Sequence, residues 1–244
     1  MRKDEQIDYR DRIIVALDVI NRAEALNLID SFEKQVRFVK VGMELFYAEG
    51  VSLIEELKNR GLNVFLDLKL HDIPNTVGKA SAQLTRLGVD MFNLHIAGGS
   101  KMMIEARNQM ENALVPSQKR PILIGVTQLT STDKEMLNNE IGIVKTVEDT
   151  VIDYANLAQK SGLDGVVSSV LEVERIKETC GEGFITVTPG IRLAGAKVHD
   201  QKRVATPAQA IKLGSDYLVI GRTLTEAVNP AKTFEQIVIE MGQL

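Results

Sequence analysis

The sequence predicts a single α/β domain built as a closed (β/α)8 barrel, and three observations carry that prediction. Eight short, nearly continuous apolar segments alternate with segments of helical period along 244 residues. Strands that are apolar throughout, rather than alternately, are parallel strands covered on both faces. Eight such units in ~250 residues match the size of a (β/α)8 barrel, and no stretch rich in Pro, Gly or Ser divides the chain. A doubly wound open sheet is the alternative arrangement of the same units.

Taken in order, the first strand is read over 13–19 (IIVALDV), followed by a helix over 22–34 with Ala23, Leu26, Ile29 and Phe32 as its apolar positions. The second strand is 38–43 (FVKVGM), and Leu53, Ile54 and Leu57 define a helix over 51–60 that stops at Gly61. The third strand, 63–70 (NVFLDLKL), and the fourth, 91–97 (MFNLHIA), flank a helix over 76–88. A helix over 100–112 leads to the fifth strand, 121–129 (PILIGVTQL), and one over 146–161 to the sixth, 165–170 (GVVSSV). Helices over 171–180 and 206–214 bracket the seventh strand, 184–189 (FITVTP), and the eighth is 217–222 (YLVIGR). The last helix, 230–241, opens on Pro230, which suits a first helical turn. Two connections after strands are long, 130–145 and 191–205, and long loops at that end of a strand commonly carry function. The second holds Arg192, Lys197, Lys202 and Arg203 against Asp200, so it is cationic enough to close over an anion.

Composition removes whole classes of function. With 44% apolar and 25% charged residues, the chain is neither disordered, collagenous nor a coiled coil. A net charge of −4 offers no overall basic surface for nucleic acid or an anionic membrane. No apolar run approaches the ~18 residues that cross a bilayer. The single Cys180 cannot form an intrachain disulfide, and MRKDEQIDYR at the start lacks an apolar signal core, so the expected compartment is the cytoplasm.

The chemistry concentrates in Asp67-Leu-Lys69-Leu-His-Asp72-Ile-Pro74. Residues i and i+2 of a strand share a face, so Asp67 and Lys69 point together into the barrel mouth while Leu66, Leu68 and Leu70 face the helices. A carboxylate beside a lysine favours its ammonium form, giving a fixed cation or proton donor. Asp18 and Lys40 interrupt the first two apolar strands, and a charge in such a setting needs a partner. Strands one to three are neighbours, so Asp18, Lys40, Asp67 and Lys69 are expected to form one network of alternating charge. Its structural alternative is an ion-pair network without a ligand, and that of Asp72 is a cap on the next helix. Thr188-Pro-Gly190-Ile-Arg192 and Gly221-Arg222 follow strands seven and eight, where barrels commonly hold phosphate. His71, His95 and His199 lack metal-ligand spacing, Gly98-Gly99 fits no nucleotide loop, and Met102, Met103 and Cys180 read as packing.

These residues resemble the orotidine 5′-phosphate decarboxylase family. The likeness spans the chain through VALD at 15–18, KVG at 40–42, DLKLHDIPNT at 67–76, VTQLTS at 126–131, TPGIR at 188–192, DQKRV at 200–204 and GRTLT at 221–225. It implies a homodimeric TIM barrel that uses neither metal nor cofactor and acts on orotidine 5′-monophosphate. It further implies Lys69 as proton donor to C6 of the pyrimidine, Asp67 as the carboxylate against the departing CO2, and Asp72 reaching the neighbouring subunit's site. With Lys40 these make a Lys-Asp-Lys-Asp array. Asp18 and the partner's Thr76 would contact ribose, Thr130 the pyrimidine, and Arg192, Gln201, Gly221 and Arg222 the phosphate. Thr223 departs from the pattern, which often has Pro or Ser there. Magnesium-dependent sugar-phosphate barrels such as 3-keto-gulonate-6-phosphate decarboxylase share the Asp-x-Lys-x-x-Asp segment. They place an acidic metal ligand where this chain has Lys40, a cation that repels Mg²⁺. A non-catalytic phosphate-binding barrel would keep Arg192, Gln201 and Arg222 without needing Asp67, Lys69 and Asp72 together.

Overall fold

Parallel pairing runs without interruption from β1 (Ile13–Ala16) through β2 (Phe38–Gly42), β3 (Asn63–Leu70), β4 (Met91–His95), β5 (Ile122–Val126), β6 (Gly165–Val167) and β7 (Ile185–Thr188) to β8 (Tyr217–Ile220). β8 pairs back onto β1, which closes the barrel and settles the choice against an open sheet. This computed structural model describes residues 8–193 and 205–242. Around the strands lie α1 (Arg22–Asp30), α2 (Met43–Glu49), α3 (Val51–Asn59), α4 (Pro74–Arg86), α5 (Gly99–Ala113), α6 (Val147–Lys160), α7 (Val173–Cys180), α8 (Pro207–Lys212), α9 (Arg222–Thr225) and α10 (Pro230–Met241).

Alternation along each strand divides the apolar residues into two cores. Ile14, Ala16, Phe38, Phe65, Met91, Ile124, Val187 and Val219 fill the barrel itself. Their strand neighbours Ile13, Val15, Val39, Val41, Leu66 and Phe92 point outward into a larger core shared with the helices, which also takes Phe32, Ile54, Met102, Met103 and Phe234. Each fully buried side chain of this size contributes ~1.5–3 kcal/mol relative to exposure.

The end of the barrel where strands begin is built on a repeated polar device. Asp90, Asp164 and Asp216 immediately precede β4, β6 and β8 and accept from the N–H groups of Val64, Leu123 and Thr186 at 2.8, 2.7 and 2.7 Å. Each carboxylate is also paired with a cation, Lys58, Arg120 and Lys177 respectively. Lys177 is buried and donates in addition to the carbonyls of Glu182 and Phe184, so no proton of this ammonium is wasted on apolar surroundings. Charge at this end is thereby consumed by structure.

The sequence-read strands overrun at their C-terminal ends, most clearly β1, β5 and β6, because apolar residues continue after the ladder stops. Leu17 and Val170 stay buried while the chain is already turning into a loop or a 3-10 turn. Two helices are additions. Met43–Glu49 forms its own helix because Gly50, at φ +67°, separates it from α3, and Arg222–Thr225 forms a single turn once Gly221 ends β8. The 130–145 connection contains a π-turn at Met136–Glu140, anchored by the buried Leu137 and by Asn138 Nδ2 donating to the carbonyls of Ile143 and Lys145. The ends of the 191–205 connection are tied together, with Arg192 N–H donating to the Ala205 carbonyl at 3.0 Å and Ala205 N–H to that of Gly190 at 3.3 Å.

Candidate active site

All the charged residues expected at the barrel mouth from β1, β2 and β3 meet at the C-terminal ends of those strands. Lys40 Nζ lies 3.0 Å from Asp18 Oδ1 and 3.6 Å from Asp67 Oδ2, and Lys69 Nζ lies 2.7 Å from Asp67 Oδ1. The row therefore reads Asp18, Lys40, Asp67, Lys69, with Asp67 as its buried centre at 13% side-chain exposure and Asp18 on the rim at 62%. Burial opposes the charge on Asp67, yet the ammonium groups of Lys40 and Lys69 and the hydrogen bonds from Lys69 and Asn93 outweigh it. They hold the carboxyl below the ordinary aspartate value.

β3 reaches this geometry through an irregularity. Leu66 pairs with Phe92 and Leu70 with Leu94, so Asp67, Leu68 and Lys69 all face the single β4 residue Asn93. Two extra residues preserve the alternation of faces, which is why Leu68 and Leu70 still pack against the outer core while Asp67 and Lys69 point inward. Lys69 itself takes φ +53°, a left-handed conformation that costs a residue with a Cβ on the order of 1–2 kcal/mol. Asn93, only 1% exposed, spans the irregularity: its Oδ1 accepts from Lys69 N–H at 2.8 Å and its Nδ2 donates to Asp67 Oδ1 at 2.7 Å. Sequence reasoning had taken Asn93 for part of an ordinary apolar strand. The signal was there, because an amide inside MFNLHIA must be buried and must find partners.

Two cavities share Lys40, Pro189 and Val219 as walls. The smaller, about 160 Å³, lies between Asp67, Lys69, Asn93, Gln128, Thr130 and Ser168. The larger, about 780 Å³, runs past Asp18 to Gly190, Arg192, Gly221 and Arg222. Gly221 lies close to the acidic end of the row: a Cβ there would stand 3.4 Å from Asp18 Oδ2, in ordinary contact. Arg192 is nearly buried, with Nη1 donating to the Ile191 carbonyl at 2.9 Å and lying 3.5 Å from Thr223 Oγ1, which in turn donates to the same carbonyl at 3.1 Å. Thr223 thus braces the arginine that lines the cavity.

Asp72 and Thr76 stand apart from this arrangement within the chain. Both are exposed, Asp72 in the turn from β3 into α4 and Thr76 in the first turn of α4, and Asp72 accepts only from the adjacent Ile73 N–H among its described contacts, at 2.6 Å. The helix cap is Ile73, with Pro74 as the first helical residue, so Asp72 does not cap α4. Gln201 lies outside the described residues, as do Lys197, His199, Asp200, Lys202 and Arg203. His71 and His95 face each other beside Lys69 with ring centroids 5.5 Å apart, a juxtaposition that their spacing did not foretell. Burial, reinforced by the charges of His71 and Lys69, lowers the pKa of His95, so it is neutral at pH 7. Cys180 is buried at the end of α7 with its thiol pKa pushed up by that burial, as suits packing rather than nucleophilic attack.

A model of the orotidine 5′-phosphate decarboxylase / HUMPS family matches residues 11–237. The chain belongs to that family. Among its relatives is the orotidine 5′-phosphate decarboxylase of Bacillus cytotoxicus, 53% identical over 225 residues, which cover 92% of this chain and 94% of the relative. The protein of the same name from Bacillus cereus matches to the same extent. Among solved structures, an uncharacterized conserved protein from Geobacillus kaustophilus superposes with a TM-score of 0.84 at 46% identity, covering 93% of this chain and 99% of that one. Orotidine 5′-phosphate decarboxylase from Lactobacillus acidophilus gives 0.84 at 38% identity, covering 93% and 97%. For a member of the orotidine 5′-phosphate decarboxylase / HUMPS family, the division of this mouth is informative: a small pocket beside a lysine at one end, an arginine pair at the other, and Lys40 between them.

Proposed function

We propose that this chain decarboxylates orotidine 5′-monophosphate to UMP without metal or cofactor, with Lys69 protonating C6. The observation that carries the reading is the Asp67–Lys69 pair at 2.7 Å in a pocket that shares Lys40, Pro189 and Val219 with the cavity lined by Arg192 and Arg222. In the reaction the C6–carboxylate bond breaks, CO2 leaves, and the electron pair remains in an sp² orbital at C6 that no neighbouring π-system can accept. A pre-placed ammonium stabilises that charge, and transfer of its proton to C6 completes the product. Lys69 is left as an amine and regains a proton from water. Asp67 keeps Lys69 charged and sets a negative group against the substrate carboxylate. Lys40 completes the charged array with Asp67, Lys69 and Asp72, Thr130 serves the pyrimidine, Asp18 and the partner's Thr76 the ribose, and Arg192, Gln201, Gly221 and Arg222 the phosphate. Phosphate binding, remote from the reacting bond, supplies energy that can be used at C6.

Lys40 also weighs against the magnesium-dependent reading. Its ammonium fills the space between Asp18 and Asp67 that a divalent ion would need in order to use both carboxylates. The direct test is an absorbance assay with orotidine 5′-monophosphate in EDTA and again with Mg²⁺. Rapid conversion to UMP insensitive to EDTA is expected; no conversion under either condition overturns the assignment.

The working unit of this reading is a homodimer in which Asp72 and Thr76 of each chain complete the site of the other. The β3–α4 turn and the start of α4 that carry them are exposed together with the apolar Ile73, at 65%, and α2 exposes Tyr47 at 73%. Subunit mixing tests it. Lys69→Ala and Asp72→Asn proteins, each inactive alone, are unfolded, mixed in equal amounts and refolded. Random pairing is expected to restore about a quarter of wild-type activity, because half the sites in each mixed dimer are intact. No recovery would mean that Asp72 acts within its own chain.

A further inference from the structure

We propose that Asn93 is a positioning residue that sets the relative placement of Asp67 and Lys69 and thereby the rate of the chemical step. The inference rests on the decarboxylase reading for its consequence, but its geometry stands independently. Three consecutive residues of β3 face Asn93 alone, so the regular strand ladder is interrupted at the very residues that carry the charges. The side chain of Asn93 takes over what the ladder cannot supply. Its oxygen receives the Lys69 N–H, and its nitrogen donates to the Asp67 oxygen that also receives the Lys69 ammonium.

The amide orientation is fixed by these partners. Rotating it by half a turn would set NH₂ against the Lys69 N–H and oxygen against the Asp67 carboxylate, two repulsive contacts in place of two hydrogen bonds. At 1% exposure the amide is met by these two partners rather than by bulk water. Few other side chains could do the same work at this position. Asp keeps the acceptor and loses the donor, Leu keeps neither, and Gln has the groups one methylene too far out. Asn93 also sits one layer above Met91 in the barrel interior, on a central strand with pairing on both edges, so it is held by the rigid part of the fold. Left-handed Lys69 is thus tied by its backbone to β4 while its ammonium is tied to Asp67, and both ties pass through one side chain or its immediate partner.

The experiment combines two variants with an activity-independent readout. In Asn93→Ala, kcat is expected to fall roughly 100-fold, in the range seen when a pre-organised polar contact is lost, with KM for orotidine 5′-monophosphate within about threefold. Hydrogen exchange of the Lys69 amide is expected to lose its protection while the Val64 and Leu66 amides keep theirs. Asn93→Asp retains the acceptor, so the Lys69 amide stays protected, but it sets a second carboxylate against Asp67. That pair then titrates as a unit and binds a proton at higher pH than Asp67 alone, so an acid limb in kcat is expected to appear at higher pH than in the wild type. Should Asn93→Ala not fold, the Asp variant alone decides through its pH profile and amide exchange. Asn93→Ala with kcat within twofold of wild type, or an Asp variant whose acid limb does not move, overturns the positioning role. A wild-type chain that fails to convert orotidine 5′-monophosphate overturns the decarboxylase reading instead. In that case Lys69 amide protection, kept in the wild type and lost in Asn93→Ala, still tests the geometry.

Discussion

Lys69→Ala is expected to lower kcat for orotidine 5′-monophosphate by at least ~1,000-fold, with the fold intact. On the proposed mechanism two effects disappear together: the cation that stabilises negative charge at C6, and the proton that quenches it. General-acid catalysis and a fixed electrostatic partner each contribute ~100-fold or more, and a residue that does both sits at the high end. Substrate affinity should change far less, because the proposed phosphate anchors, Arg192 and Arg222, line the neighbouring cavity and not the pocket beside Lys69. The fold should tolerate the change because Asp67 is not abandoned. It keeps the Asn93 hydrogen bond at 2.7 Å and Lys40 at 3.6 Å, so no buried charge is left without compensation. Alanine at φ +53° is no more strained than lysine, since both carry the same Cβ. Steady-state kinetics paired with thermal unfolding decide it. Turnover within tenfold of wild type, in a variant that unfolds near the wild-type temperature, would remove Lys69 from the chemistry.

How much of this was written in the sequence depends on which physical rule each residue obeys. Strand identity and closure were legible because eight buried parallel strands must be apolar on both faces, and eight such segments leave few alternatives. The convergence of Asp18, Lys40, Asp67 and Lys69 was legible because charges in apolar strands need partners and the three strands are adjacent. The two-residue expansion of β3 was not legible. It leaves the alternation of faces unchanged, so the pattern Leu66, Leu68, Leu70 outward and Asp67, Lys69 inward reads the same with or without it. Left-handed Lys69 was equally hidden, since no glycine or asparagine marks the position. Asn93 was overlooked because its partners lie on a different strand and include a backbone N–H, which no spacing rule encodes. The helix Met43–Glu49 was missed because its apolar start merges with the end of β2, and only Gly50 betrays the break. Asp72 and Thr76 show a further limit: their own chain leaves them exposed, and their expected role belongs to a second copy.

Arg222→Ala is expected to weaken binding of UMP by roughly 10–100-fold and to leave binding of uridine within about twofold. A hydrogen bond between ionised partners is worth ~1.5–3 kcal/mol, and a guanidinium can offer phosphate two at once. Arg222 opens α9 directly after Gly221, on the wall of the same cavity as Arg192 and Gly190, far enough along it to spare the pocket beside Lys69. The loss should therefore follow the phosphate and not the base. The sign of its pH dependence is a second check. A phosphate monoester takes its second negative charge near pH ~6. UMP affinity of the wild type should rise as pH increases through that value if, as proposed, the dianion meets two arginines. In Arg222→Ala the rise should flatten while Arg192 supplies what remains. Titration calorimetry with UMP and uridine at pH values on either side of 6 measures both effects. Equal loss for nucleotide and nucleoside would move the phosphate away from Arg222. It would leave the Asp67–Lys69 pocket without the anchor that lets remote binding energy reach C6.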